Sequence, residues 1–178
     1  MPRKLNKNLK MRSAAKQPIC GLWAAARCCG IRLNNAKKIQ EFRNMLLTNK
    51  VISRGGNWVG GTTDAERMQI CIFLGCSVTD VFIDLIQRRG VGKTITVKTL
   101  LTSREFFQTC RQYMLLVDQH VLYVRTNKMK RKLWVADQRG KPMRIARKNQ
   151  AEADKELQSM LNKHVVSVWA VDKNSNNA

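Results

Sequence analysis

The sequence predicts an all-β fold, an antiparallel sandwich or barrel, carried behind a basic and partly helical N-terminal arm. Three observations lead there. Stretches rich in β-branched and aromatic residues recur beyond residue 67 (68–74, 78–86, 113–117, 121–124, 133–136 and 165–171). Turn signals separate them, and there is no alternation of strand with helix of the kind a parallel sheet needs.

The elements follow in chain order. Residues 1–17 are dominated by Lys, Arg, Asn and Gln and bury too little apolar surface to offset chain ordering, so they read as a disordered arm. Cys20 to Gly30 is an apolar island around Trp23, which has no partner within so short a segment and reads as packing on a neighbouring subunit. From Ala36 to Leu47, the residues Ile39, Phe42 and Leu46 fall at i, i+3 and i+7 among Lys37, Lys38, Glu41 and Arg43. Asn34 or Asn35 can cap this short amphipathic helix. The glycine-rich run 54–63 then reads as a hinge, giving an arm over 1–51, a β-rich domain over 52–172 and a polar tail over 173–178. Two helical insertions are expected inside the domain, at Thr96–Phe107 and Gln150–Asn162.

Charge bounds the partners. The formal net charge of +21 on 178 residues exceeds what solubility requires and points to a polyanion. The first forty residues hold Arg3, Lys4, Lys7, Lys10, Arg12, Lys16, Arg27, Arg32, Lys37 and Lys38, and the first carboxylate is Glu41. A second cluster, Lys128, Lys130, Arg131 and Lys132, precedes Leu133 and Trp134, and a third comprises Lys141, Arg144, Arg147 and Lys148. These cations suit phosphate contact without base readout, since no aromatic RNA-binding pair and no GxxG loop accompanies them. No apolar run approaches the roughly 20 residues that span a bilayer, and the chain reads as intracellular.

Chemistry finds no obvious foothold at this level. The six cysteines (Cys20, Cys28, Cys29, Cys71, Cys76, Cys110) match neither a zinc pattern nor a disulfide framework. Gly90 to Thr94 resembles the end of a phosphate-binding loop, but position 87 is Gln87 where that motif needs glycine. His120 and His164 read as polar residues at strand edges, and nothing in the spacing of Asp80, Asp84, Asp118 and Asp137 demands catalysis. Those carboxylates could hold calcium between subunits. No other cofactor and no enzymatic activity is expected.

Val81-Phe82-Ile83-Asp84, then Gly90 and Gly92, then Thr96-Val97-Lys98-Thr99-Leu100-Leu101 run in an order that resembles the single jelly-roll capsid proteins of small plant satellite viruses and small circular single-stranded DNA viruses. Arg111 to Asp118, followed by an alternating strand and a lysine-rich turn before Trp134, is similar to a later segment of that group. The resemblance implies a jelly-roll domain that self-assembles with identical subunits into an icosahedral shell. It also implies a basic arm facing a packaged RNA or DNA genome, and a place in the virion. A basic RNA-binding subunit of a ribonucleoprotein, such as a ribosome-associated one, is the other setting that fits the charge.

Overall fold

The computed structural model describes residues 19–53, 61–84, 95–101, 103, 111–118, 120–127, 132–137, 143–146 and 159–174. The expected disordered arm, the phosphate-loop-like turn and most of the helix expected at 150–162 lie outside them.

Helix α1 (Cys20–Cys28) forms because three alanines, the strongest helix formers, follow Trp23. Every residue in it except Arg27 is buried. It ends at Gly30, whose φ of +86° is a backbone conformation that glycine adopts without cost. Helix α2 (Ala36–Thr48) is capped by Asn35, whose side chain accepts from the Lys38 N–H at 2.9 Å, and it buries Ile39, Phe42, Arg43 and Leu46.

Helix α3 (Asp64–Phe73) replaces the strand expected over 68–74. Two signals outweigh the β-propensity of Ile70, Ile72 and Phe73. Thr63 and Glu66 form a capping box, with the Glu66 N–H on Thr63 Oγ1 at 3.2 Å and the Thr63 N–H on Glu66 Oε2 at 2.8 Å. The buried residues Arg67, Ile70 and Cys71 then fall at i, i+3 and i+4, which is helical spacing.

The strands are β1 (Cys76–Asp80), β2 (Gln112–Val117), β3 (His120–Asn127), β4 (Lys132–Ala136), β5 (Met143–Ala146) and β6 (Val165–Lys173), with a short helix α4 (Val97–Leu101) between β1 and β2. They make one six-stranded sheet in the order β1-β6-β2-β3-β4-β5, antiparallel at every pairing. Four strands lie where the sequence placed them. The expected strand at 78–86 shortens to β1, and β5 was not anticipated.

Each face of this sheet carries its own core. On one face α1, α2 and α3 pack over Met114, Val121, Tyr123 and Val171. On the other, Ile95, Val97, Leu100, Leu101 and Leu161 cover Tyr113, Leu115, Val117, Leu122, Val124, Val168 and Ala170. Alternate residues of a strand point to opposite faces, so Met114 at 2% and Leu115 at 0% exposure require cover on both sides. At about 1.5–3 kcal/mol for each large apolar side chain buried, neither helical layer is dispensable.

The fold is therefore mixed, an antiparallel sheet between helices, rather than all-β. The described strands form one sheet and not two facing ones. The segment 19–51, expected to belong to a separate arm, contributes Leu22, Leu33 and Leu46 to the first core. Trp23 packs within its own chain, edge-to-face on Tyr123 with ring centroids 6.3 Å apart.

The β2–β3 hairpin pairs Val117 with His120, and Asp118 at its turn has a φ of 58°. A tight hairpin needs such a left-handed residue, and a β-branched side chain resists it. Asp118→Val is expected to lower stability by about 1–2 kcal/mol and Asp118→Gly to be tolerated, as denaturant midpoints of the two variants will reveal.

Candidate active site

The end of the sheet where β3 begins and β4 ends is where three chemistry-bearing side chains meet. Cys20 is the first residue of α1, His120 the first of β3, and Asp137 follows the last residue of β4. The antiparallel β3–β4 pairing sets Tyr123 against Ala136, so the start of one strand lies beside the end of the other. His120 Nε2 is 3.3 Å from Asp137 Oδ2, with the carboxylate side chain 2% exposed and the imidazole 22%. The imidazole also acts on Cys20, whose thiolate form is favoured by the His120 side chain and by the Val121 and Gly21 backbone groups.

Electrostatics polarise this chain of groups. Burial pushes the Cys20 thiol up, but the hydrogen bonds from His120 and Val121, together with the His120 charge, outweigh it, and the net direction is down. Burial pushes His120 down, while hydrogen bonds to Asp137 and Cys20 and their charges overcome it, leaving a pKa of about 9. Both shifts favour a thiolate beside an imidazolium. The first turn of α1 adds to this, since its backbone N–H groups have no intrahelical acceptors and its dipole favours negative charge.

Cys28, Cys29 and Cys76 sit in the opposite regime. Burial raises Cys28 well above its ordinary value and Cys76 to about 12, and a hydrogen bond to Cys71, then burial, raise Cys29. Cys28, Cys29, Cys71 and Cys76 are free and behave as small core residues.

Packing fixes α1 so that Cys20 faces His120. At the far end of the helix, Gln112 Nε2 donates to the Cys28 carbonyl at 3.0 Å, and the Tyr123 hydroxyl donates to Gln112 Oε1 at 2.9 Å. Arg27 lies 5.7 Å over the Tyr123 ring. Beside Cys20, Gly21 sits directly against Thr62 and the buried Arg67 of α3. Arg67 is itself held by the Thr62 carbonyl and by Asp64.

Sequence reasoning treated His120 as a strand-edge residue and Cys20 as part of an apolar island, and it did not connect them. The hairpin register was the available signal, because it alone brings His120 to Asp137.

Other expected sites fall elsewhere. Arg3, Lys4, Lys7, Lys10, Arg12, Lys16, Lys128, Lys130 and Arg131 lie outside the described residues. Arg32, Lys37 and Lys38 are exposed, Arg27 is engaged by Tyr123, and Lys132 opens β4. The four carboxylates weighed for calcium are separated: Asp80 caps the Phe82 N–H at 2.9 Å, Asp118 pairs with Lys163 at 3.1 Å, Asp137 meets His120, and Asp84 is exposed. Among the described residues no group of three or more His, Cys, Asp or Glu side chains could hold a metal ion, and no helix is long and apolar enough to cross a membrane.

Compared with protein-family models, with curated proteins and with solved structures, the chain matches none.

Proposed function

We propose that this protein is a thiol-dependent acyl-transfer enzyme, a hydrolase of amide or ester bonds, with Cys20 as nucleophile, His120 as acid and base, and Asp137 as the group that orients the imidazole. One observation carries the reading: Asp137 holds His120 at 3.3 Å, and His120 lies close enough to Cys20, at the start of α1, for thiol and imidazole to be shifted in opposite directions. Burying ionisable groups costs folding free energy, and strongly perturbed titrations cluster at functional sites.

The chemistry balances on these three residues. The Cys20 thiolate adds to an acyl carbon, forming an S–C bond, while first-turn N–H groups of α1 favour the developing oxyanion. His120 gives its proton to the departing amine or alcohol as the C–N or C–O bond breaks. Neutral His120 then takes a proton from water, whose oxygen attacks the thioester, and Cys20 leaves as thiolate. Asp137 holds the ring and its charge throughout.

The test is alkylation by free chloroacetamide at pH 6.5 with peptide mapping, beside hydrolysis of a panel of peptide amides, isopeptides and esters. Cys20 is expected to react before the other cysteines, and Cys20→Ala to abolish any hydrolysis while far-ultraviolet circular dichroism stays the same. Uniform labelling of all thiols would sink the reading.

A second reading, carried by the charge distribution, is that the arm grips nucleic-acid backbone without reading sequence. Its settings are a self-assembling coat protein that packages a genome, or a ribonucleoprotein subunit. A jelly-roll shell needs two facing sheets, and helices occupying both faces of this one favour the ribonucleoprotein setting. Negative-stain imaging separates them, since only a coat protein forms large closed particles.

A further inference from the structure

We infer that the sheet surface at the edge of the α1 cover, centred on Trp134 and Arg125, is a stacking surface for the bases of single-stranded nucleic acid. The inference does not depend on the thiol reading. It adds contact with bases to the phosphate contact that the charge of the chain supports.

The helical layer on this face stops partway across the sheet. It covers Val171, Met114, Val121 and Tyr123, and on β4 it reaches Ala136, the register partner of Tyr123. Residues two apart in a strand share a face, so Arg125 and Trp134 form the next row on the same side. The register continues that row through Gln112, Arg125, Trp134 and Arg144 on four adjacent strands. Gln112 is taken up by the Cys28 carbonyl and the Tyr123 hydroxyl. The accessible part of the row therefore begins at Arg125, which is exposed.

Trp134 is placed unlike Trp23. Trp23 is 7% exposed inside the first core, whereas Trp134 is part of neither core among the described residues, and the Arg125 guanidinium lies 4.5 Å over its ring. An indole outside the cores, with a planar cation over it at a sheet surface, offers both groups on which unpaired bases stack. Every base has a π-face, so such contact tolerates any sequence and needs no hydrogen-bonding code. Charge selects the same partner. Strands β3, β4 and β5 carry Arg125, Lys132 and Arg144 and no Asp or Glu, while Asp137, just past β4, is 1% exposed and held by His120. A phosphodiester backbone crossing these strands meets no competing carboxylate there, and its bases meet an aromatic ring.

The experiment uses the full chain and two fluorescein-labelled strands of about 15 nucleotides, oligothymidylate and an abasic strand with the same phosphates, titrated by fluorescence anisotropy from about 0.1 to 0.5 M salt. Oligothymidylate is expected to bind about fivefold or more tightly than the abasic strand, the effect of stacking one base. Trp134→Leu should reduce oligothymidylate to the abasic level and leave abasic binding and the salt slope as they were, because no phosphate contact is lost. Trp134→Phe keeps a ring and should recover most of the gain, and Arg125→Gln should weaken both strands and narrow the difference between them. Circular dichroism and thermal midpoints check the fold of each variant. Equal affinity of the unaltered protein for the two strands, or a gain that survives Trp134→Leu, overturns the inference while leaving phosphate contact by the cationic chain in place. Binding of neither strand overturns both.

Discussion

His120→Asn will return Cys20 to an ordinary buried thiol. The Val121 and Gly21 backbone contacts persist in such a variant, but the imidazole hydrogen bond and charge that oppose burial are gone. The thiol then moves back up, and its alkylation at pH 6.5 is expected to fall at least about tenfold, because only the thiolate attacks. Hydrolysis, which also needs the acid-base role, should fall by about 10² to 10⁴. The pH profile of the wild type follows from the same pair. Activity requires ionised Cys20 and protonated His120, so the alkaline limb falls as pH rises through about 9. The acid limb falls as pH drops through the Cys20 value, which lies below 9.0. Alkylation rates measured from pH 4 to 11 on both proteins decide it: a His120→Asn profile that overlays the wild type removes the imidazole from the mechanism.

Gly21→Ala will destabilise the protein although it improves helix propensity. Alanine outranks glycine by about 1 kcal/mol inside a helix, so an unopposed change would stabilise α1. Here an added Cβ overlaps Thr62 Oγ1 and comes within 3.1 Å of Arg67 Cδ. Arg67 is 3% exposed and tied to the Thr62 carbonyl, so it has little room to yield. Overpacking of this kind costs about 1–3 kcal/mol, which for a chain of this size lowers Tm by roughly 2–10 °C. Because α1 carries Cys20 next to Gly21, the same shift pulls the sulfur from His120, and alkylation slows with stability. Thr62→Ala removes the clashing oxygen and should restore most of both in the double variant. A Gly21→Ala protein as stable as wild type would mean that α1 and α3 do not meet as closely as described.

The strands that the amino-acid order made legible were those with unbroken apolar runs. Tyr113-Met114-Leu115-Leu116-Val117 falls within a residue of β2, and Val121-Leu122-Tyr123-Val124 within β3, which runs three residues further. Their lack of polar alternation carried a further message: a strand apolar at every position is buried on both faces. That is incompatible with a sandwich strand that wets one side, and it anticipates the helices found on each side of the sheet. The strand expected at 68–74 shows the opposite error, β-branched residues weighed above the Thr63–Glu66 capping box that starts a helix there.

Half of the candidate site was within reach in the same way. A hairpin of β3 and β4 necessarily brings the residue opening one strand toward the residue closing the other, so His120 and Asp137 meet by register alone. Cys20 is different. It lies a hundred residues before His120 in the chain, and no local pattern joins them.

The amino-acid order alone set the run of cations before Cys20 and the place of four antiparallel strands, because charge, connectivity and apolar runs are local properties of a chain, but it predicted a sandwich where the structure has one sheet between helices. Only the tertiary structure decided that α1 docks on β2 and β3 through Trp23, Tyr123, Gln112 and the glycine contact with α3. Which helix end points at which strand end depends on how surfaces far apart in sequence fit together, and that fit is what converts an apolar island into a thiol held against an imidazole.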